Sequence, residues 1–243
     1  MERVRIVSPT IFGDGVVAGI TLRAPFSSNE VGFTVKDSDF VSHEKAESNR
    51  IRLAEAVGVS PNRVKYQKQT HSIIIRDINS ESREDEADGM ITREAGTFLA
   101  VKVADCAAVL LFDPVRQVVC GLHSGWRGTA QNIVRHGIEK LREEYSSRAA
   151  DLCAWISPCA GGDTYEVGGE VARLFPNSSR PIANEKYLFD NKHEIRLQLL
   201  DCGLDPSRIE VSPVCTISNH DYHSFRRDAE RSGRMAAFIG MKS

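Results

Sequence analysis

Three side chains able to bind a metal or carry a proton stand at the edges of strand-like runs: His71 in QKQTHS, Cys106 in VADC and His123 in GLHSGWRG. Each sits beside glycine, serine or an acidic residue rather than inside an apolar segment. Two imidazoles and a thiolate make the three-ligand set of a catalytic zinc site, whose fourth position stays open for water or substrate. Zinc so held lowers the pKa of a water to about 7 and polarises a substrate oxygen or nitrogen. The same residues serve a second chemistry, with Cys106 as a nucleophilic thiolate and His123 as its base. A blue-copper centre also takes two histidines and a cysteine, with a weak axial methionine. No methionine stands close to Cys106 or His123 in sequence, and seven histidines are too few for such a centre plus a histidine-rich copper cluster.

Arginines supply a second set. Arg127 precedes a glycine at the start of a helical pattern, where free N–H groups and the helix dipole favour an anion. Arg226 and Arg227 come together in HSFRRD. A guanidinium is the bidentate partner of phosphate or carboxylate, and the adjacent Asp228 offers each of them a purely structural alternative. Tyr165, Tyr222 and Phe225 could wall a pocket for a planar ring, with core packing as their ordinary use. His220 and His223, in HDYH, read as a solvated loop, and Trp126 as a packing residue.

The elements that must position these groups alternate along the chain. RVRIV and GVVAGITL read as strands, and DFVSHEKAESNRIRLAEAVG carries a helical period that closes on Gly58. NRVKYQKQTHSIIIRDI is β-rich, with His71 between its halves. Beyond the acidic loop NSESREDEADG, the runs GTFLAVKVADCAAVLLFDP and QVVCGLHSG predict three strands. One helix is predicted from Thr129, with Ile133, Val134, Gly137, Ile138 and Leu141 on a single stripe. A strand at LCAWIS, helices near VGGEVARLF and through KHEIRLQLLDCG, a strand at RIEVSPV and a final helix from Asp228 to Met241 complete the pattern. The expectation is an α+β fold, a single domain over residues 1–243 with mixed β-sheets flanked by helices.

Composition bounds the function. The 243 residues are 41% hydrophobic and 26% charged, enough to bury a sizeable core. A formal net charge of −2 provides no basic field for a nucleic-acid backbone. The longest apolar run, CAAVLLF, is too short to span a bilayer, and MERVRIVSPTIFGDG lacks a leader's apolar core. These features argue against nucleic acid and membrane as partners and predict a cytoplasmic protein. Six cysteines without a CxxC pair call for no disulfide framework.

The blocks QKQTHS, EADGMIT, VKVADCAAVLLFDP, GLHSGWRGTAQNIV, WISPCAGGDTYEVGGEV and CTISNHDYHSFRRDAERSGRMAAFIGM follow one another as in the laccase-domain family. The chain resembles that family from about Asn29 to its C-terminus. First labelled polyphenol oxidases, its members are understood as zinc-dependent purine nucleoside phosphorylases. The resemblance implies that His71, Cys106 and His123 bind zinc, with copper as the metal of the older label. It further implies phosphorolysis of adenosine, inosine, guanosine and methylthioadenosine to base and sugar 1-phosphate, with deamination of adenosine in the same site. Phosphate held by an arginine would attack the anomeric carbon as the glycosidic bond loosens, and an activated water would attack C6 of adenine. Arg226 is taken as the phosphate ligand beside the three metal ligands, with Arg127 as a second. Asn29, Gln69, Tyr165 and Arg227 complete the expected substrate contacts. Two departures bear on the pocket: LRAPFSSNEVGF replaces the family's glycine-rich N-terminal block, and Ser157 stands where glycine is usual.

Overall fold

The computed structural model describes residues 3–23, 31–79 and 86–243. Asn29, expected at the pocket, lies outside these described residues. The elements in order are β1 (Ile6–Val7), β2 (Val16–Thr21), α1 (His43–Ala56), β3 (Val64–Lys65), β4 (Ile75–Asp77), β5 (Gly89–Thr92), β6 (Phe98–Val103), β7 (Ala107–Asp113) and β8 (Val118–Ser124). Then follow α2 (Trp126–Ala130), α3 (Ile133–Tyr145), β9 (Cys153–Ile156), β10 (Glu166–Gly168), α4 (Gly169–Ala172), β11 (Ser179–Pro181), β12 (Lys186–Phe189), α5 (Asn191–Asp201), β13 (Ile209–Val211), α6 (Phe225–Asp228) and β14 (Met235–Met241).

Strand periodicity builds the layers. One sheet runs β1-β2-β14-β6-β3 and another runs β13-β9-β7-β8-β5-β4. Successive side chains on a strand point to opposite faces. Leu99, Val101 and Val103 of β6 therefore meet Ala108, Leu110 and Phe112 of β7 in a core between the two sheets. The alternate residues of β6, Phe98 and Ala100, pack under Leu53 and Ala54 of α1. Those of β7, Val109 and Leu111, pack under Ile133, Val134, Ile138 and Leu141 of α3 and Ile195 and Leu199 of α5. The result is four layers, helix–sheet–sheet–helix, with strands buried on both faces. A third sheet, β10-β12-β11, carries a smaller apolar cluster around Phe175 and Phe189. This is the expected α+β class. No helix of the described residues is long and apolar enough to cross a membrane.

Several elements differ from their sequence pattern. The segment 228–241 is not a helix. After the four residues of α6, MAAFIGM forms β14, a fully buried central strand between β2 and β6. An apolar run with no polar face fits a buried helix and a strand equally well, and pairing on both edges decides for the strand. A Cβ added at Gly240 would lie 2.6 Å from Phe98 Cδ1 and 2.8 Å from the Thr97 carbonyl oxygen, a close approach that a strand crossing requires.

The helix predicted from Thr129 is two. Asn132 interrupts it in the left-handed region (φ 57°), and its side chain caps α3 by accepting from the Arg135 N–H at 3.2 Å. The helix near VGGEVARLF shrinks to a single turn, and RVRIV pairs only at Ile6 and Val7. His223 is buried rather than solvated.

Candidate metal centre and cleft

The sheet-to-sheet crossing places the three candidate ligands. β6 belongs to one sheet and β7 to the other, so Cys106 lies in the turn that passes between them. Antiparallel pairing of Ala107 with Ser124 and of Ala108 with His123 carries the end of β8 to the same place. His71 arrives from the connection between β3 and β4, with its backbone at φ 61°.

The candidate ligand atoms of His71, Cys106 and His123 all lie within 4.8 Å of one another, with Cys106 Sγ and His71 Nε2 4.0 Å apart. The imidazoles meet edge to face, their centroids separated by 4.9 Å. A tetrahedral ion bonded at about 2.0 Å to nitrogen and about 2.3 Å to sulfur needs these atoms only slightly closer. Gly125 makes room for the cluster, since a Cβ there would stand 2.7 Å from Cys106 Sγ and 3.3 Å from His71 Cδ2. The residues fit a borderline-soft divalent ion.

Asp88, which sequence reasoning did not single out, organises two of the three ligands. Its Oδ1 accepts from His123 Nδ1 at 2.7 Å, which turns Nε2 toward the cluster. Its Oδ2 accepts from the N–H groups of Thr70 (3.0 Å) and Ser72 (2.7 Å) and from Ser72 Oγ (2.8 Å). These bonds bracket His71 and hold its left-handed backbone. An acidic residue directly abutting the buried strand of EADGMIT was the available signal, and the acidic loop before it masked that signal. Burial disfavours the Asp88 carboxylate, but its bonds to His123 and to the 70–72 backbone outweigh that and hold it well below the usual carboxylate range.

Asp105, at φ 78°, plays a comparable part on the other side. It accepts from Thr216 Oγ1 (2.7 Å), Ser224 Oγ (3.0 Å) and the Arg226 N–H (2.6 Å), tying the Cys106 turn to the start of α6. Burial opposes ionisation of Cys106, but the charge of His123 and the hydrogen bonds from both histidines prevail and pull the thiol down to about 6. Burial likewise opposes charge on His123, and the Cys106 thiolate and Asp88 push it up to about 9. Each group thus favours the charged form of the other.

The cluster forms part of the wall of a cleft of about 550 Å³. Of the expected substrate contacts, Gln69, Arg127, Tyr165 and Arg226 line it. Arg227 does not; its guanidinium is spent on Asp228 and on the carbonyls of Thr216, Ile217, Asn219 and Tyr222, where it braces the loop before α6. The Gln69 amide donates to the Lys102 carbonyl and accepts from the Lys102 N–H, both at 2.8 Å, so it holds the His71 loop onto β6.

The Arg226 guanidinium donates to the Glu166 carbonyl at 2.9 Å and lies over Tyr165, 5.2 Å from the ring centre. Arg127 covers Trp126 at 4.2 Å. Trp126 packs on the cluster of the third sheet, as expected of a packing residue, and also lines the cleft. Burial and the nearby Cys106 charge push the Tyr165 phenol up to about 12, so it meets a ligand as a neutral hydroxyl. Ser157 is fully buried away from the cleft, its Oγ accepting from the Ala108 N–H at 2.9 Å, so that departure touches the sheet rather than the pocket.

Fold and site together define an α+β protein with a His–Cys–His centre at the crossing between two packed sheets. The family described as multi-copper polyphenol oxidoreductase laccase matches residues 17–242. The chain belongs to that family. It is 33% identical to the purine nucleoside phosphorylase YlmD of Bacillus subtilis over 253 residues, covering 93% of this chain and 89% of that protein. It is 36% identical to a purine nucleoside phosphorylase of Clostridium acetobutylicum over 180 residues, covering 72% and 76%. The solved structure of YlmD from Geobacillus stearothermophilus superposes with a TM-score of 0.89 at 28% identity, covering 97% of this chain and 94% of that one.

Proposed function

We propose that this chain is a zinc-dependent purine nucleoside phosphorylase that releases the base from adenosine, inosine, guanosine and methylthioadenosine, and that it also deaminates adenosine in the same cleft. The observation that carries the reading is the His71–Cys106–His123 cluster set in the wall of a cleft that also presents aromatic rings and cations. The names of the relatives support it. One metal-capable cluster of three such residues among the described residues favours a single ion over a multi-copper assembly, with copper as the alternative occupant.

His71, Cys106 and His123 would hold the ion, which when bound supplies Lewis-acid polarisation at the cleft wall. Asp88 holds the proton on His123 Nδ1 and so keeps Nε2 as the donor atom. Trp126 and Tyr165 offer rings to a purine, and Arg127 and Arg226, stacked on them, stiffen those rings. Phosphate must reach the anomeric carbon from a cationic part of the same cleft, because its charge has to be offset before it can act as nucleophile. The lowered thiol of Cys106, close to the raised imidazole of His123, favours one second reading, a cysteine-nucleophile hydrolase or deamidase.

A product assay with adenosine, run with and without phosphate and with and without a chelator, tests the proposal. Phosphate-dependent adenine release and phosphate-independent inosine formation, both lost on chelation and restored by zinc, are expected. Neither product from fully zinc-loaded protein would refute it, and activity that survives chelation while Cys106 takes up an electrophile would establish the second reading.

A further inference from the structure

The cations of the cleft fall into two groups. Arg127 and Arg226 lie against Trp126 and Tyr165. Lys36, Lys102 and Arg234 come from adjoining backbone, with Arg234 also over the Phe225 ring at 5.4 Å. Lys102 is on β6, where its register partner is Ala236 of β14. Arg234 immediately precedes β14, diagonally across from Lys102. The segment bearing Lys36 is bonded alongside, with the Val35 N–H donating to the Arg234 carbonyl at 3.1 Å and the Arg234 N–H to Thr34 Oγ1 at 2.8 Å.

Among the described residues none of these three side chains is in an ion pair. Lys68, also in the cleft wall, is paired with Glu86, and Asp37 faces His43; of the negative groups acting on Arg234, which are Cys106, Asp105 and Glu230, Asp105 is already bonded to Thr216, Ser224 and the Arg226 N–H. Arg234 Nη1 donates to the Ser232 and Gly233 carbonyls at 3.0 and 2.9 Å, which fixes the guanidinium in the cleft wall.

Lys102 is the most exacting member. It is a lysine inside an apolar strand, and burial, with Arg50, Lys36 and Arg234 acting in the same direction against Asp37, pulls its ammonium down to about 8. Like charges gathered in a partly desolvated wall oppose one another, and an arriving oxyanion relieves that opposition. A guanidinium and two ammonium groups lining one cleft are a donor set for a tetrahedral dianion.

We propose that Lys36, Lys102 and Arg234 form the oxyanion subsite of the cleft and bind inorganic phosphate, leaving Arg226 with Tyr165 at the nucleoside end. The assignment rests on the phosphorylase reading for its role in turnover but stands on charge and geometry for binding. It moves the phosphate from Arg226, where the sequence placed it, to residues no motif singled out.

Direct titration of inorganic phosphate into the zinc-loaded chain without nucleoside, by calorimetry or phosphorus NMR, tests it. Lys102→Gln and Arg234→Gln should each weaken phosphate at least about tenfold, the loss of one hydrogen bond to a charged group. Lys102→Arg should largely retain it. Inosine affinity and zinc content should stay within about twofold of the parent in all three. The exposed Lys36→Gln gives a variant whose folding is not in question, with a smaller loss in the same direction. Arg226→Gln should weaken inosine and spare phosphate. Unchanged phosphate affinity in Lys102→Gln and Arg234→Gln, or its loss in Arg226→Gln alone, would overturn the assignment. Phosphate binding that depends on Lys102 in a protein without phosphorolysis would uphold the subsite while rejecting the phosphorylase. Phosphorolysis whose phosphate KM ignores Lys102 would do the reverse.

Discussion

Asp88 is not among the residues lining the cleft, yet it aims one candidate ligand and shapes the loop of another. Removing such an outer partner costs about 10–100-fold in metal affinity. Asp88→Asn should therefore weaken zinc by that factor in competition with a chromophoric chelator, and Asp88→Ala by more, because Thr70 and Ser72 lose their acceptor as well. A zinc affinity equal to the parent's would show that His123 needs no orienting carboxylate. Gly125 is constrained by space rather than by φ. In Gly125→Ala the new methyl group would displace Cys106 Sγ, so the sulfur-to-metal charge-transfer band of the cobalt-substituted protein should shift or vanish while the fold persists. An unaltered band would mean that the cysteine can give way and still ligate.

At the scale of elements, two interruptions do most to place the site. The crossing from β6 to β7 makes a strand end out of Cys106, and the break at Asn132 lets α2 carry Trp126 and Arg127 to the cleft while α3 lies flat on its sheet. Asn132 combines a left-handed backbone with a capping side chain, two requirements that alanine meets poorly. Asn132→Ala should cost about 1–2 kcal/mol in urea unfolding, and Asn132→Gly only a few tenths, because glycine accepts the backbone without the cap. Equal losses in the two variants would place the effect in the side chain alone.

For the whole molecule, buried His223 links stability to acid. Its Nε2 donates to the Phe33 carbonyl at 2.8 Å, and its Nδ1 has no partner among the described residues. Protonation would add a buried charge and a donor with no acceptor. Burial lowers its pKa to about 4, against a bond to Phe33 that raises it. Between its ordinary value near 6.5 and about 4, the unfolded chain takes up a proton that the folded chain refuses. Stability from this group is complete above about pH 6.5 and is lost as pH falls toward 4, by about 3 kcal/mol. His223→Gln, which keeps a donor for Phe33 without titrating, should show that much less acid destabilisation in urea unfolding measured across this range. Identical slopes for the two proteins would remove His223 as the cause.

Local chemistry determined a good part of this protein. Residue types and strand-edge placement marked His71, Cys106 and His123, and alternation and apolar stripes marked β6, β7, β8, α1 and α3, because these signals reside in the side chains themselves. The sequence blocks also pointed to the family. Tertiary structure decided the rest. MAAFIGM became a strand only because β2 and β6 offer it two edges. Arg227 was claimed by carbonyls of its own loop, whereas Arg226, its neighbour, faced the cleft. Asp88 became the clamp of the His71 loop, and Lys36, Lys102 and Arg234 came to line one cleft, through pairings between segments far apart in the chain. Burial and pairing partners are properties of the packed whole, and no residue carries them in its own chemistry.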